Sequence, residues 1–406
     1  MTDLMSASRF NVRFLMRLAA ALHRYGTPTN RLEEALYGMA RVLGVEAQFL
    51  ATPTSITASV GPEGEQEIRL LRLDPGEQNL EKLARLHDVM KLVGASEMNA
   101  ARGAEKIRTI VDAPMRYGKS LTVLGFMAAS STATYLFGGA WNEIIVGLAI
   151  GTVLGLLAVF SLPRPRLARM YFAIAAMIAA LAAGLAAFIL QPLYPFIAIL
   201  GSLIVLIPGL SLTIAMNELA NGHLMSGTAR FAWALFIFLQ MGFGVAVGVI
   251  LVGTLGTVPV PVEPAQLPDY LKFVAFPIAA AGFTVLFRAR PSDYIWILLV
   301  SAVSYAAARV GAAVAGSVIA AAFGAWVLGC SSNLLARLRD EPAAITFLPG
   351  LILLVPGSVG FRSIEALVQH DVVSGIEAAF FMTLTAMALV TGMLLANLTV
   401  ASRRLL

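Results

Sequence analysis

Two Pro-Gly pairs, Pro208-Gly209 and Pro356-Gly357, lie within long apolar runs and are the residues best able to build a binding site there. A proline removes one backbone N–H and clashes with the carbonyl four residues earlier, and a glycine permits a local departure from helical geometry. Each pair therefore predicts a broken helix, whose second part would begin with free N–H groups suited to a substrate carboxylate. The alternative interpretation is that both prolines kink helices for packing.

Hydroxyl, amide and charged side chains follow both breaks, and together they suit a zwitterion or a carboxylate. The candidate substrate-binding residues are Pro208, Gly209, Ser211, Thr213, Asn217 and Glu218 in the first copy, and Pro356, Gly357, Ser358, Arg362 and Glu365 in the second. For each polar residue, the alternative is a position at the membrane interface in contact with water.

Four further polar residues stand inside or close to apolar runs. Glu377 is the candidate proton-coupling residue, because an unpaired charge at mid-membrane costs about 2.5–3.5 kcal/mol and is rarely kept without a use. An interfacial carboxylate facing the lipid headgroups is the alternative. Asn333, Asn397 and Gln240 could line a cavity, but hydrogen bonds between helices would explain these amides equally well.

The elements that must position these residues are membrane helices. Of the residues, 58% are hydrophobic and 13% are charged, whereas ordinary globular chains carry roughly 25% charged residues. More than half of the charged residues precede Gly118. The remainder contains about ten apolar runs of the ~20 residues that a bilayer requires. They lie near 118–138, 143–162, 169–190, 195–216, 229–253, 271–288, 293–309, 311–330, 344–364 and 375–400.

The part before Gly118 has the pattern of a small soluble α+β domain. Apolar residues at helical spacing predict a helix from Arg9 to Tyr25 that Gly26 ends, and a second helix from Thr29 to Leu43. Three short strands separated by turn residues follow, near 45–51, 55–60 and 67–73, and then two helices near 79–93 and 96–111.

The two Pro-Gly pairs belong to an internal repeat. The segment 203–209 resembles 351–357, and the match continues without a gap, at an offset of 148 residues, to Ser226-Gly227 and Ser374-Gly375. Eight of the 25 aligned positions are identical. The offset places the fourth span on the ninth, so each half holds five spans and the second half enters the membrane from the opposite side. Such inverted repeats are common in secondary transporters.

The predicted fold is therefore mainly α, a polytopic bundle of about ten helices in a five-plus-five inverted repeat. The predicted domains are 1–117, the α+β domain; 118–256, the first repeat; and 257–406, the second repeat. Arginines cluster in alternate loops and in the tail, which predicts that those loops, the N-terminal domain and both termini are cytoplasmic in a bacterial-type inner membrane. The net charge of +5 is attributed to this orientation and not to a nucleic-acid partner.

Other classes of function have less support in the sequence. The single cysteine, Cys330, and four scattered histidines show no metal-ligand spacing, and no ATP-binding loop is present. Ser55, His23 and Glu33 could form the nucleophilic set of a hydrolase, but the nucleophile and metalloprotease motifs are missing. We expect neither an enzyme nor a bound metal or cofactor, although a channel and a membrane enzyme remain alternatives.

Several motifs in the chain resemble the threonine/serine exporter family. They are Leu22-His-Arg-Tyr-Gly26, Arg31-Leu-Glu33, Leu43-Gly44, Phe49 with Thr52-Pro-Thr54, and the Pro-Gly repeats. The resemblance covers nearly the whole chain and implies a cytoplasmic N-terminal region followed by ten spans. It further implies proton-driven export of threonine and serine. Related two-subunit members are implicated in exporting dicarboxylates such as succinate, so the expected partner besides lipid is an amino acid or a dicarboxylate, with the oligomeric state open.

Overall fold

The computed structural model describes residues 2–74, 76–257, 259–354, 366 and 371–401. The predicted site residues Pro356, Gly357, Ser358, Arg362 and Glu365 lie outside the described residues.

The N-terminal region folds as an α+β domain. Its elements are α1 (Thr2–Arg24), α2 (Thr29–Val42), β1 (Ala47–Thr52), β2 (Ser55–Val60), β3 (Glu67–Arg72), α3 (Leu80–Gly94) and α4 (Ala100–Asp112). The sequence predicted every one of these elements, with most bounds within two residues. The exceptions are the starts of two helices. Helix α1 begins seven residues earlier than predicted, and α4 begins four residues later, after the capping side chain of Asn99.

The domain core lies between the helices and one face of an antiparallel sheet of order β1-β2-β3. Phe14, Leu18 and Leu22 recur every four residues along α1 and are fully buried. This spacing places them on one helix face, as the sequence pattern requires. Ile56 and Ala58 point from the central strand into the same cluster.

Gly26 ends α1 in a Schellman motif. The Gly26 N–H donates to His23 O and the Thr27 N–H donates to Leu22 O, both at 3.1 Å, and Gly26 has a φ of +80°. A glycine takes this left-handed conformation without a steric cost, which explains why the helix stops here.

The described residues of the second region are mainly helical. Their helices are α5 (Lys119–Leu136), α6 (Trp141–Ser161), α7 (Pro165–Ala168), α8 (Tyr171–Ala187), α9 (Pro195–Leu203), α10 (Gly209–Ala220), α11 (Leu224–Gly253), α12 (Lys272–Leu286), α13 (Tyr294–Ala315), α14 (Ser317–Arg339), α15 (Ala344–Ile352) and α16 (Val372–Thr399).

Six of the described helices are long and apolar enough to cross a bilayer, namely α6, α11, α12, α13, α14 and α16, with α12 and α13 counted together with the short 3-10 turns before them. Helix α8 is apolar but has 17 residues, and α9 and α15 have nine each, which corresponds to roughly 14 Å of helix. The predicted fourth span is thus two helices, α9 and α10, separated at 204–208.

The boundary between α13 and α14 lies further along the chain than predicted. The sequence pattern placed it near residue 310, but α13 continues to Ala315 and Gly316 separates the helices with a φ of +84°. Gly311 remains helical and packs closely, since a Cβ there would lie 3.0 Å from the Cα of Ala320.

Small residues allow the long helices to pack closely in pairs. A Cβ on Gly244 of α11 would lie 2.2 Å from the carbonyl oxygen of Ala173 in α8. In the same way, a Cβ on Gly392 of α16 would lie 2.1 Å from the carbonyl oxygen of Ala322 in α14. Such close backbone contact is the usual basis of helix association in membranes.

The N-terminal domain docks on the helical region through the start of α3. Leu80 and Glu81 donate their N–H groups to the carbonyls of Phe287 and Arg288, at 3.0 and 3.1 Å, just after the end of α12. The end of one helix thus meets the start of another, which pairs opposite ends of their dipoles. An ion pair of Arg288 with Glu77 lies beside this contact, and a second ion pair joins Lys91, in the last turn of α3, to Asp340.

Candidate functional site

A cavity of about 440 Å³ lies where the N-terminal domain meets the helical region. The α1–α2 loop and the first turns of α2 form one wall. Residues of α10, α14, α15 and the end of α16 form the other. The volume is in the range of small-molecule sites, roughly 300–1,000 Å³, and exceeds that needed by a small amino acid.

Four asparagines and His223 supply polar groups on the helical side of the cavity. Asn333 of α14 donates its Nδ2 to Asn397 Oδ1 of α16 at 3.1 Å and to Val400 O at 2.8 Å. Asn221 donates its Nδ2 to Asn217 O at 2.7 Å. Asn333 and Asn397 therefore meet both sequence interpretations, since they join two helices and also line a cavity.

The N-terminal domain supplies the charged groups of the cavity. Arg31 and Glu34, one turn apart on α2, form an ion pair with 3.2 Å between Nη1 and Oε2. Thr27 and Asn30 precede and follow the start of α2 and also line the cavity. Within the described part of the chain, Thr27 Oγ1 and Asn30 Oδ1 are buried and have no hydrogen-bond partner.

The predicted helix break at Pro208-Gly209 is present. After α9, Leu206 and Ile207 both donate to Leu203 O, Gly209 donates to Ile207 O, and α10 begins with Leu212 donating to Pro208 O. The break lies deeper in the bundle than the cavity, whose lining on α10 begins at Ile214.

Three predicted site residues on α10 have different surroundings. Thr213 is fully buried and donates its hydroxyl to Gly209 O at 3.0 Å, whereas Ser211 is half-buried. Asn217 is the one candidate substrate-binding residue that lines the cavity among those the structure describes.

Glu218 connects the N-terminal domain to the helical region. Its carboxylate is wholly buried and accepts hydrogen bonds from the Thr29 N–H at 2.9 Å, the Ser226 hydroxyl at 2.9 Å, and Arg230 Nε and Nη2 at 3.1 and 3.2 Å. Thr29 is the first residue of α2, so the carboxylate also faces the positive end of that helix dipole. These contacts give Glu218 a docking role beside the cavity.

A second contact between the two regions involves Glu33 and His223. Glu33 Oε2 lies 3.7 Å from His223 Nδ1, and Glu33 Oε1 accepts the Ala51 N–H at 2.8 Å. Burial raises the pKa of Glu33, against the opposing effects of that N–H and the imidazole. His223 also lines the cavity, so this contact between the two regions adjoins it.

Ser55, His23 and Glu33 all surround the β1–β2 turn. His23 Nε2 lies 3.1 Å from Thr52 O, and the Ser55 hydroxyl lies 2.9 Å from that of Thr52. Glu33 reaches the neighbouring Ala51. Among the described residues, no hydrogen bond joins any two of the three.

Two further predicted residues lie away from the cavity. Glu377 is exposed in the second turn of α16. Gln240 donates its Nε2 to Arg169 O at 3.3 Å, where α11 meets the loop before α8.

Sequence reasoning missed the contribution of the α1–α2 loop to the cavity. Thr27, Asn30 and Glu34 were not singled out, and Arg31 was used only as a motif residue. Gly26 was identified as a helix end, and a polar segment directly after such an end is a usual place for binding residues. The sequence thus indicated that the loop could bind a ligand, but it did not predict that the loop lies against α10.

Comparison with known proteins places the chain among membrane transporters. A family model described as a threonine/serine exporter matches residues 13–252, and a second threonine/serine exporter model matches residues 272–399. No solved structure matches.

Several relatives are fungal proteins named as membrane proteins. Pheromone-regulated membrane protein 10 of Eremothecium gossypii is 29% identical over 86% of this chain and 48% of its own length. The protein of the same name from Candida albicans is 26% identical over 90% of this chain and 34% of its own length. The chain thus spans half or less of the length of these relatives.

The first family model alone covers more than half of the chain, and the two together extend from α1 to the end of α16. The matched ranges include the N-terminal motifs, the broken helix and the long apolar helices. This multi-pass membrane protein therefore belongs to the threonine/serine exporter family.

Proposed function

We propose that the protein is a secondary transporter that exports threonine, serine and similar small zwitterions from the cytoplasm by proton antiport across the inner membrane. The observation that carries this proposal is the charge balance of the cavity. Among its described lining residues, the charged side chains are one arginine and one glutamate, with His223 beside them. A zwitterion matches one group of each sign, whereas a dicarboxylate would leave the glutamate facing a like charge.

The asparagines of the opposite wall suit the side chain of such a substrate. A carboxamide both donates and accepts hydrogen bonds, so it can serve a hydroxyl group in either direction. Asn217, Asn221, Asn333 and Asn397 offer such groups opposite the charged pair. The side-chain hydroxyl of threonine or serine would meet them.

Helix packing supports a repeat of five helices, an arrangement found in secondary transporters. Gly244 and Gly392 are 148 residues apart, the offset of the two Pro-Gly pairs. A Cβ on Gly244 or Gly392 would lie 2.2 or 2.1 Å from a backbone carbonyl oxygen, in α8 and α14 respectively. Four residues further on, Gly248 faces Ala180, and the equivalent Ala396 faces Gly329, with the small residues exchanged.

The broken helix also supports this arrangement. Helix α9 ends five residues before Pro208, and α15 has the same nine-residue length and ends four residues before Pro356. Leu210 packs against the cluster that contains Leu351. We propose ten spans in an inverted five-plus-five repeat, with substrate passing between α10 and the ninth span.

The orientation and the coupling belong to the same proposal. Arginine-rich loops after α6, α12 and α14 would be cytoplasmic, together with the N-terminal domain and the cavity beneath it. Glu377 remains the candidate proton-coupling residue within the spans. Loading of substrate from the cytoplasm would then be the first step of export.

Transport by the purified chain in liposomes tests the proposal. Vesicles preloaded with unlabelled threonine should accumulate external labelled threonine by counterflow, and an imposed pH gradient should change the rate. Serine should compete and succinate should not. Uptake of succinate without competition by threonine would establish the dicarboxylate alternative, and flux without counterflow would establish a channel.

A further inference from the structure

We infer that the N-terminal domain forms half of the substrate-binding site, with the α1–α2 loop and the first turns of α2 binding the α-amino and α-carboxylate groups of the substrate. This inference rests on the proposed function and adds to it a specific set of ligand contacts in the soluble domain. Arg31 binds the carboxylate, Glu34 binds the ammonium group, and Thr27 and Asn30 provide further hydrogen bonds.

The first observation is that the loop leaves polar atoms without partners. Thr27 is 8% exposed, and both Thr27 Oγ1 and Asn30 Oδ1 are buried without a hydrogen-bond partner among the described residues. A buried polar atom in this state costs free energy, and native structures keep few of them. Both residues line the same cavity. A polar ligand there would satisfy them after small side-chain rotations.

The second observation is that the charged pair can exchange partners. The Arg31 and Glu34 side chains are 26% and 62% exposed, and one 3.2 Å contact joins them. An ion pair of this kind contributes little to stability. An amino acid could replace it with two stronger contacts, since its carboxylate can accept two parallel hydrogen bonds from the guanidinium.

The third observation is that the loop is held in place from two sides. Gln78 donates its Nε2 to Gly26 O at 3.3 Å, and the Schellman motif fixes the chain direction after α1. On the other side, the buried Glu218 carboxylate accepts the Thr29 N–H. Binding groups on such a fixed segment lose little entropy when a ligand arrives.

The two walls of the cavity belong to different regions of the chain, one to the N-terminal domain and one to the helical region. A substrate held between Arg31 on α2 and Asn217 on α10 bridges the N-terminal domain and the helical region. The domain is then a determinant of specificity. Bound substrate would also strengthen its docking.

The test uses the purified chain, both in liposomes and in detergent. The variants Arg31→Gln and Glu34→Gln should each raise KM for threonine by about tenfold or more, because a hydrogen bond to a charged group is lost. The matched control is Arg108→Gln, which breaks the exposed pair with Asp112 on α4. That control should leave KM unchanged.

Two further variants separate a binding role from a structural one. The double variant R31E/E34R keeps an ion pair on α2 but reverses its direction. It should therefore retain the unfolding temperature of the unaltered chain, while its KM for threonine should rise. Thr27→Val replaces an unpartnered hydroxyl by a methyl group of similar size, so it should preserve or raise stability while raising KM.

The outcomes are distinguishable. If the unaltered chain transports threonine and all four variants keep its KM, the inference is wrong and the proposed function stands. If the unaltered chain neither binds nor transports threonine or serine, both fail together. Direct binding of labelled threonine in detergent should show the same order of affinities as transport.

Discussion

Thr29 and Glu218 are 189 positions apart in the chain, yet the N–H of the first donates to the carboxylate of the second at 2.9 Å inside the protein. Thr29 also places its hydroxyl 2.6 Å from that of Ser226. The start of one helix of the N-terminal domain is thus inserted into the turn between α10 and α11. The domain and the helical region share one buried polar network.

Glu218→Gln should destabilise this junction. The substitution keeps the size of the side chain but removes the charge that pairs with Arg230, and breaking a buried ion pair on one side costs about 3–5 kcal/mol. Arg230 is 24% exposed and can recover some hydration, so we expect about 3 kcal/mol. Denaturant unfolding of the purified chain in detergent measures the change.

Glu63→Gln is the control for that experiment, because Glu63 is an exposed carboxylate in the β2–β3 turn. It should change the stability by less than about 0.5 kcal/mol. Equal effects of the two substitutions would show that the buried network does not hold the domain in place.

Gly244→Ala and Gly392→Ala should have similar costs. In both, the new methyl group meets a backbone carbonyl at little more than 2 Å, so the helix pairs α8–α11 and α14–α16 must move apart. Overpacking of this kind costs about 1–3 kcal/mol. Unfolding of each variant in detergent, monitored by circular dichroism, measures it.

Gly253→Ala is the matched control, since Gly253 ends the same helix as Gly244 and nothing lies within 4 Å of its Cβ position. It should be neutral or stabilising by up to about 1 kcal/mol. A large cost at Gly244 with none at Gly392 would contradict the structural equivalence of the two helix pairs.

His23 should make stability depend on pH. Burial lowers the pKa of its imidazole from the ordinary 6.5. Its Nε2 lies against Thr52 O, and among the described residues its Nδ1 has no partner, so protonation would bury an unpaired donor. At a pH between the lowered pKa of the folded state and the ordinary pKa of the unfolded state, the unfolded chain binds more protons than the folded one. The stability from neutral His23 is therefore complete above about pH 6.5 and is lost as the pH falls towards the folded pKa.

His23→Gln is the variant that tests this dependence, because glutamine can still donate to Thr52 O but does not titrate. The unfolding temperature of the unaltered chain should fall more than that of the variant between pH 7.5 and pH 5.5. Parallel curves for the two proteins would show that His23 is not responsible.

The sequence predicted the elements of this protein better than it predicted the site. Apolar spacing along α1, the glycine at its end and the break at Pro208 are local features, and local geometry decides them. The cavity instead joins residues near 27–34 with Asn217, Asn333 and Asn397. Their proximity follows from the docking of the N-terminal domain through Thr29 and through α3, and no local pattern specifies it.

Glu218 also shows the difference between local patterns and contacts between distant segments. Its place after a helix break made it a candidate for binding substrate, because a carboxylate in an apolar run suggests a function. Its four hydrogen bonds come from Thr29 of α2 and from Ser226 and Arg230 of α11. A sequence shows that such a charge needs partners, but it does not show whether they belong to the chain or to a ligand.

Repair of the helix break tests whether the break serves transport. Within the described residues, the N–H groups of Leu210 and Ser211 have no acceptor, so the first turn of α10 has free donors next to the proposed substrate path. Pro208→Ala with Gly209→Ala restores the missing N–H and favours continuous helix from α9 into α10. The repaired chain should accumulate in the membrane at normal or higher levels and lose threonine export, as should the same repair at Pro356-Gly357.

Pro277→Ala is the control for this repair, because Pro277 lies inside α12 without interrupting it. It removes a proline from a membrane helix but leaves the course of the helix unchanged, so export should continue at near the original rate. If the repaired variants also export at that rate while reaching the membrane in normal amounts, the break is a packing feature, and the substrate does not use the free N–H groups of α10.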